Sequence, residues 1–448
     1  MANSRNNRPS ANPVARVSDW LRQAVRPGER VVVALSGGLD SVVLLHALIS
    51  QPRPWHFLLG VLHVNHGINP RADQWQDFCE RLCTDWGIPF AASRVRVAQE
   101  GHESLEAAAR RARHEVFRNE PADWLVLAHH RDDQAETVLL NLLRGAGPSG
   151  AAAMPAVRRM QGTAGPSLLR PFLEVTRAEL AEFARTARLA WVEDDSNQDL
   201  RHTRNFVRQR VLPLLRERFA GCDDALARAA VNFGESDALL AELARIDAAS
   251  VVRGGRLVVA GMLQLDELRA GNLLRHFLRE QGILMPDRAR LREILRQIRE
   301  AAPPRTLRFD LGTRTLHRYR GEVWLVASAV AGGEREWFGE RAVDWGGGRI
   351  EFTHGTGEGI ARDQLDGAAL RIAPRRGGER FRPDGGRPRR DLRKLLQERA
   401  VPPWMRDTLP LLWHADELVW VPGIGVDSAW QCAAGEPGIT PAWFPASG

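Results

Sequence analysis

Ser36-Gly37-Gly38-Leu39-Asp40-Ser41 places two hydroxyls, two glycines and a carboxylate in six consecutive residues. Paired glycines let a backbone bend sharply and approach an anion closely, and a helix starting there offers unpaired N–H groups and positive dipole density. The serines add hydroxyl donors, so the segment is suited to cradling phosphoryl groups. Asp40 repels a bare phosphate; it is expected either to cap the helix or to hold Mg²⁺ that bridges phosphates. A plain strand-turn-helix needs neither the paired serines nor the acid. A Walker loop requires Gly-Lys, whereas the chain's one lysine, Lys394, follows Arg393. Kinase-like and GTPase readings therefore lose support.

A second group is His129-His130-Arg-Asp132-Asp133-Gln134-Ala-Glu136-Thr137, two histidines and three carboxylates where an apolar run breaks into a helical pattern. Acids in a first turn suit the helix dipole, but this cluster exceeds what capping needs. Asp133 and Glu136, one turn apart, can hold Mg²⁺ or an ammonium group, and either can take up a proton. His63 and His66 follow a second apolar run and are nucleotide-neighbourhood candidates. Glu106, Arg110 and Arg113 share a helical face, either as a salt-bridged surface or as cations facing a phosphate. Asp195-Ser196-Asn197-Gln198-Asp199 leads into Arg204-Asn205-Phe-Val-Arg208, a capped turn entering a basic helix that serves equally as a structural lock or a phosphate contact.

These groups need a scaffold that brings them to one edge. Val31 to Leu35, Phe57 to Val64, Phe90 to Val97 and Trp124 to Ala128 read as strands separated by helical patterns. That alternation predicts a doubly wound parallel sheet with helices on both faces, and ligands collect at the carboxyl ends of such strands. Helices are expected over Thr176 to Arg188 and His202 to Arg218. The catalytic α/β domain is placed at residues 1–222, followed by two smaller α+β units at 223–330 and 331–448. The last carries one helix around Arg390 to Arg399.

A chain of 448 residues is long enough for about three domains. No apolar run of about 18 residues exists to span a bilayer. Met1 to Pro13 lack the apolar core of a secretory signal, so the protein is expected in the cytosol, in keeping with four scattered cysteines. The net charge of +7 leans toward an anionic partner. Basic residues concentrate in two stretches, six arginines against one acid over Arg201 to Arg218 and nine cations against three acids over Arg375 to Lys394. Each stretch alone fits a solvated face as well as a phosphate contact.

The Ser36 to Ser41 loop resembles the signature of PP-loop ATP pyrophosphatases, which split ATP into AMP and pyrophosphate to activate an oxygen. His129 to Thr137, Asn141-Leu-Leu-Arg144-Gly-Ala-Gly147, Asp195 to Asp199 and Arg204 to Arg208 with Pro213 resemble the tRNA(Ile)-lysidine synthetase family. So do Arg375 to Pro383 and Leu395 to Glu398 near the end, extending the likeness over nearly the whole chain. One departure is His114, where the family usually has tyrosine. The resemblance implies that O2 of the first anticodon cytidine of a CAU-bearing tRNA(Ile) attacks the α-phosphate of ATP, and that free L-lysine then displaces AMP at C2. On that reading the loop and Mg²⁺ hold pyrophosphate charge, with Asp40 and Asp133 as metal candidates. Arg110 or Arg113 adds positive potential, and Asp132, Asp133 and Glu136 orient lysine. Asn197, Arg204, Asn205, Arg208, Arg380, Arg382 and Lys394 are candidate tRNA contacts, and a homodimer is left open. A tRNA thiolase needs a reactive cysteine pair; Cys79 and Cys83, four apart on a helix, read as core. Ammonia-using synthetases lack a reason for basic appended domains, and a catalytically silent tRNA-binding module is the remaining alternative.

Overall fold

A computed structural model describes residues 12–99, 105–159, 165–195, 199–300, 307–327, 332–365 and 369–445. The chain divides into two compact units, 1–242 and 243–448.

The first unit opens with α1 (Pro13–Ala24), whose start is fixed by the Asn12 side chain accepting from the Val14 amide and by proline at the first helical position. Then follow β1 (Arg30–Ala34), α2 (Leu39–Ile49), β2 (Leu58–Asn65), α3 (Ala72–Trp86), β3 (Phe90–Arg94), α4 (Leu105–Arg118), β4 (Trp124–Val126) and α5 (Arg131–Leu143). A short helical turn α6 (Pro148–Ala151) leads to β5 (Val157–Arg158), β6 (Ser167–Leu169) and α7 (Arg177–Thr186). The sheet order is β3-β2-β1-β4-β6-β5, parallel throughout except for the β5–β6 pair. Burying a valine or leucine side chain is worth about 1.5–3 kcal/mol, which draws the unbroken apolar run of β1 to the sheet centre. Val31 and Val33 join the core formed with α1, α2, α3 and α7, while Val32 faces the opposite layer with Leu62, Leu125 and Phe117 of α4.

The expected doubly wound sheet is present. Its winding reverses between β1 and β4, and in sheets of this kind the loops leaving the two strands at such a point diverge and leave a crevice. Both chemistry-bearing groups, Ser36 to Ser41 and His129 to Glu136, begin at that place. The segment expected as one helix over His202 to Arg218 comprises α8 (Thr203–Phe206), a π-helical turn Val207–Val211 and α9 (Leu212–Arg218). The next helix, α10 (Cys222–Val251), runs across the division between the two units. No described helix is long and apolar enough to cross a membrane.

The second unit begins with an antiparallel sheet, in the order Val252–Arg253, Arg256–Val258, Glu322–Ala327, Arg314–Tyr319 and Arg308–Asp310. Its Leu316 and Val323 pack on helices Glu267–Glu280 and Arg288–Glu300 through Leu273, Leu274, Ile294 and Ile298. The remainder holds three further antiparallel sheets, two of them around Trp337, Ile372, Leu412, Trp420 and Ile439 and a two-stranded one pairing Arg380–Phe381 with Arg390–Asp391, with helix Leu392–Glu398 closing a side core on Phe381. Trp404 joins the two parts of this unit, stacking on His317 with 4.2 Å between ring centroids.

Candidate active site

The glycine loop is shaped by its own hydroxyls. Ser41 Oγ donates to the Gly38 carbonyl at 2.9 Å and lies 3.0 Å from Ser36 Oγ, and Ser36 Oγ accepts from the Gly38 amide at 3.3 Å. The Ser36 amide donates to Ser41 Oγ at 3.2 Å. These bonds hold the turn open above the N-terminus of α2, whose first amides have no partners within the helix. Gly37 sits at φ +84°, with its carbonyl accepting from the Val192 amide at 2.9 Å. A Cβ there would stand 2.9 Å from Val192 Cγ2 and 3.1 Å from Cys79 Sγ. Gly37→Ala is therefore expected to cost roughly 1–3 kcal/mol in denaturant unfolding, from left-handed strain plus crowding; an unchanged midpoint would contradict the close packing.

Across the crevice, His130 caps α5. Its Nδ1 accepts from the Asp133 amide at 3.4 Å and its own amide donates to Asp133 Oδ2 at 3.1 Å, a reciprocal box that keeps the ring buried. Nε2 then faces Asp40 Oδ2 at 3.7 Å and Asp133 Oδ2 at 3.4 Å. Asp133 Oδ1 accepts from Arg204 and Arg208, each at 3.0 Å. Glu136, 1% exposed at the side chain, accepts from Arg204 Nε at 2.8 Å and from Arg208 through both Nε and Nη2. Burial opposes ionisation of Asp133, but His130, Arg204 and His129 prevail and bring its pKa down to about 2. Asp40 behaves oppositely: burial raises its pKa, only partly offset by His130 and Arg177.

The structure thus gathers Ser36 to Ser41, Asp133, Glu136, Arg204 and Arg208 around one crevice, and it revises several readings. Arg204 and Arg208, read either as a structural lock or as tRNA contacts, turn inward onto the carboxylates, because two buried acids require counter-charges. Asp133, held at so low a pKa, is a poor proton acceptor. Asp132 accepts from the Arg177 amide and from Arg216, which ties it to α7 and α9. Asn205 donates to the Asp199 carbonyl at 3.0 Å and locks the preceding turn. Asn197 lies outside the described residues. His63 Nδ1 donates to the Leu35 carbonyl at 2.8 Å, pinning β2 to the loop strand, and burial lowers its pKa. His66 Nδ1 is buried without a partner, and burial with nearby Arg113 and His63 lowers its pKa to about 4. Arg113 is half-buried and Arg110 exposed. In the second unit, Arg380 donates to the Arg389 carbonyl and Arg382 to Ser428 Oγ, whereas the exposed Lys394 side chain has no partner among the described residues.

His130, part of the cluster read from the sequence, serves as the cap that positions Asp133, whereas Arg177, whose amide holds Asp132, was not among the residues read there. Asp40 Oδ1 is buried with no hydrogen-bond partner, and an orphaned carboxylate oxygen beside a phosphate cradle fits Mg²⁺, which takes one or two protein carboxylates plus phosphate oxygens. Asp133 fits less well, since its oxygens are engaged. Cys79 and Cys83 are fully buried, and burial pushes their thiols up to about 12 and about 11, which removes them as nucleophiles.

Family models match three parts of the chain: a PP-loop, ATP-binding domain at 11–215, a TilS substrate binding domain at 257–324 and a TilS substrate C-terminal domain at 370–443. The chain is 42% identical to the tRNA(Ile)-lysidine synthase of Nitrosomonas europaea over 95% of this chain and 94% of that protein. It is 45% identical to that of Azoarcus sp. (strain BH72), over 98% and 96%, and 43% identical to that of Aromatoleum aromaticum, over 94% and 98%. With its glycine loop, acid cluster and appended domains all inside these matches, the chain belongs to the tRNA(Ile)-lysidine synthase family.

Proposed function

We propose that the protein forms lysidine, joining free L-lysine to C2 of the cytidine at the first anticodon position of a CAU-bearing tRNA(Ile) with consumption of ATP. O2 of the base attacks the α-phosphorus, the bond to pyrophosphate breaks, and the lysine amine then bonds to C2, losing a proton as AMP leaves. Adenylation turns a poor leaving oxygen into a good one. The single observation that carries the reading is the crevice itself, where a phosphate cradle faces a buried carboxylate–guanidinium cluster.

The loop amides and serines bind the nucleotide's phosphates. Asp40 would hold Mg²⁺, which supplies positive charge for the departing pyrophosphate. Arg204 and Arg208 fix Asp133 and Glu136 in place, and Asp133, with 12% of its side chain exposed against 1% for Glu136, is the carboxylate that an incoming ammonium approaches. Arg110 and Arg113 add positive potential near the reacting phosphate. The division at 222 and 330 is retained, with the later two domains gripping tRNA through Arg380, Arg382 and Lys394. We place the reaction in the cytosol.

Incubation with ATP, labelled lysine and an unmodified CAU transcript is expected to label the RNA, and a transcript with uridine at the first anticodon position is expected to stay unlabelled. Equal labelling of both would refute base-specific chemistry. Pyrophosphate release without lysine incorporation would favour another PP-loop activity.

A further inference from the structure

Arg170 follows β6 at the carboxyl edge of the sheet and is 5% exposed. Its Nη1 donates to the Pro155 carbonyl at 2.8 Å, and its buried Nε has no hydrogen-bond partner. No carboxylate among the described residues pairs with it. Instead, like charges face it. Burial, then Arg158 on β5 and Arg110 on α4, lower the guanidinium's pKa to about 10. The neighbouring histidines, held neutral, neither balance that charge nor add to it: burial and the cations Arg110, Arg113, Arg158 and Arg170 lower His114 to about 4. His129, whose Nδ1 is buried without a partner, is lowered to about 3, chiefly by burial.

A buried guanidinium without a counter-charge is costly, and proteins normally answer it with a carboxylate. Here the fold brings a second, exposed cation, Arg158, to the adjacent strand. That composition suits an anion with several acceptor oxygens, because a guanidinium fork binds phosphoryl groups in two parallel bonds. In the sheet order β6 lies two strands from β1, about 10 Å at ordinary strand spacing, so the position is separate from the glycine loop.

We infer that Arg170 and Arg158 form a second phosphoryl-binding site at the β6 end of the sheet, distinct from the loop at Ser36 to Ser41. The phosphoryl group comes either from the nucleotide or from the RNA backbone beside the reacting base. The inference rests on the functional reading only in expecting those two ligands.

The test measures equilibrium binding of ATP and of unmodified tRNA, each separately, to the full chain and to Arg170→Met and Arg158→Ala. One ligand is expected to bind roughly 10- to 100-fold more weakly to Arg170→Met, the loss that follows from removing charged hydrogen bonds. A loss confined to ATP assigns the site to the nucleotide. A loss confined to tRNA, with the slope of log affinity against log salt reduced by about 0.7–0.9, assigns it to an RNA phosphate. Melting without ligand is expected to be no lower in Arg170→Met than in wild type, because an uncompensated charge has been removed. Should Arg170→Met fail to fold, the exposed Arg158→Ala decides in the same way. Wild-type affinity for both ligands in every folded variant overturns the proposal. Lysidine formation by the wild type is assayed in parallel; its failure would remove the functional reading and leave the binding result standing.

Discussion

Asp40→Asn is expected to lower lysidine formation by roughly 10²–10³-fold, the scale of losing one preorganised charge at a phosphoryl-transfer site, while leaving the protein at least as stable as wild type near neutral pH. The two effects have one source. Asp40 Oδ1 is buried and unpartnered, so its charge is a burden on the fold and an asset only toward a bound cation. Its pKa in the folded chain lies above the ordinary carboxylate value because burial disfavours the ionised form. Any stability it provides is therefore present at low pH, where it is protonated, and is lost as pH rises through the folded value. The asparagine variant has no such loss, so its advantage over wild type grows between about pH 4 and pH 7. Denaturant unfolding at those two pH values checks the sign. A variant that is markedly less stable at neutral pH, or as active as wild type, would show that Asp40 serves the fold as an ordinary helix cap.

Glu136→Ala is expected to destabilise the first unit by about 3 kcal/mol, the lower end for breaking a buried ion pair, since Arg204 and Arg208 retain some solvent contact. The loss comes from two guanidiniums left facing an apolar gap. Replacing Asp133, Glu136, Arg204 and Arg208 together by apolar residues of similar volume, so that neither acid is left without its counter-charge, is expected to recover most of that stability and none of the lysidine formation. This contrast separates a structural network from one needed for chemistry; activity in the quadruple variant would remove the cluster from the mechanism. Asp133 adds a pH signature of the opposite sign to Asp40. Its folded pKa of about 2 lies below the ordinary value of 3.8, so its stabilisation is present above 3.8 and fades as pH falls toward 2. Urea midpoints of the wild type should fall over that window.

Local signals made much of this legible in the sequence. The continuous apolar run at β1, the glycine turn and the first turn of α2 are neighbours in the chain, so their composition alone located the phosphate cradle at a strand end. Thr176 and Glu179 form the reciprocal cap that the start of α7 requires, again over three residues. Arg204 and Arg208 stayed open between a lock and a phosphate contact because their partners lie 68 to 75 residues earlier, and nothing local says whether a basic helix turns outward to RNA or inward to buried acids. Arg170 passed unnoticed for the same reason. Its lack of a counter-charge exists only once β5 and α4 are folded around it. His63 reads as a ligand neighbour from its strand end alone, while the bond that fixes its ring, to the Leu35 carbonyl just before the glycine loop, is invisible in the local sequence.

Lys394 stands alone among 62 lysines and arginines, exposed on its helix and outside the ion pairs that occupy Arg375, Arg376, Arg389 and Arg390. Apart from the amino terminus, the chain therefore presents one side-chain amine to an acylating reagent. Footprinting at that position reduces to a single mass shift on a single peptide, and any macromolecule covering the C-terminal basic surface reports itself by slowing one reaction.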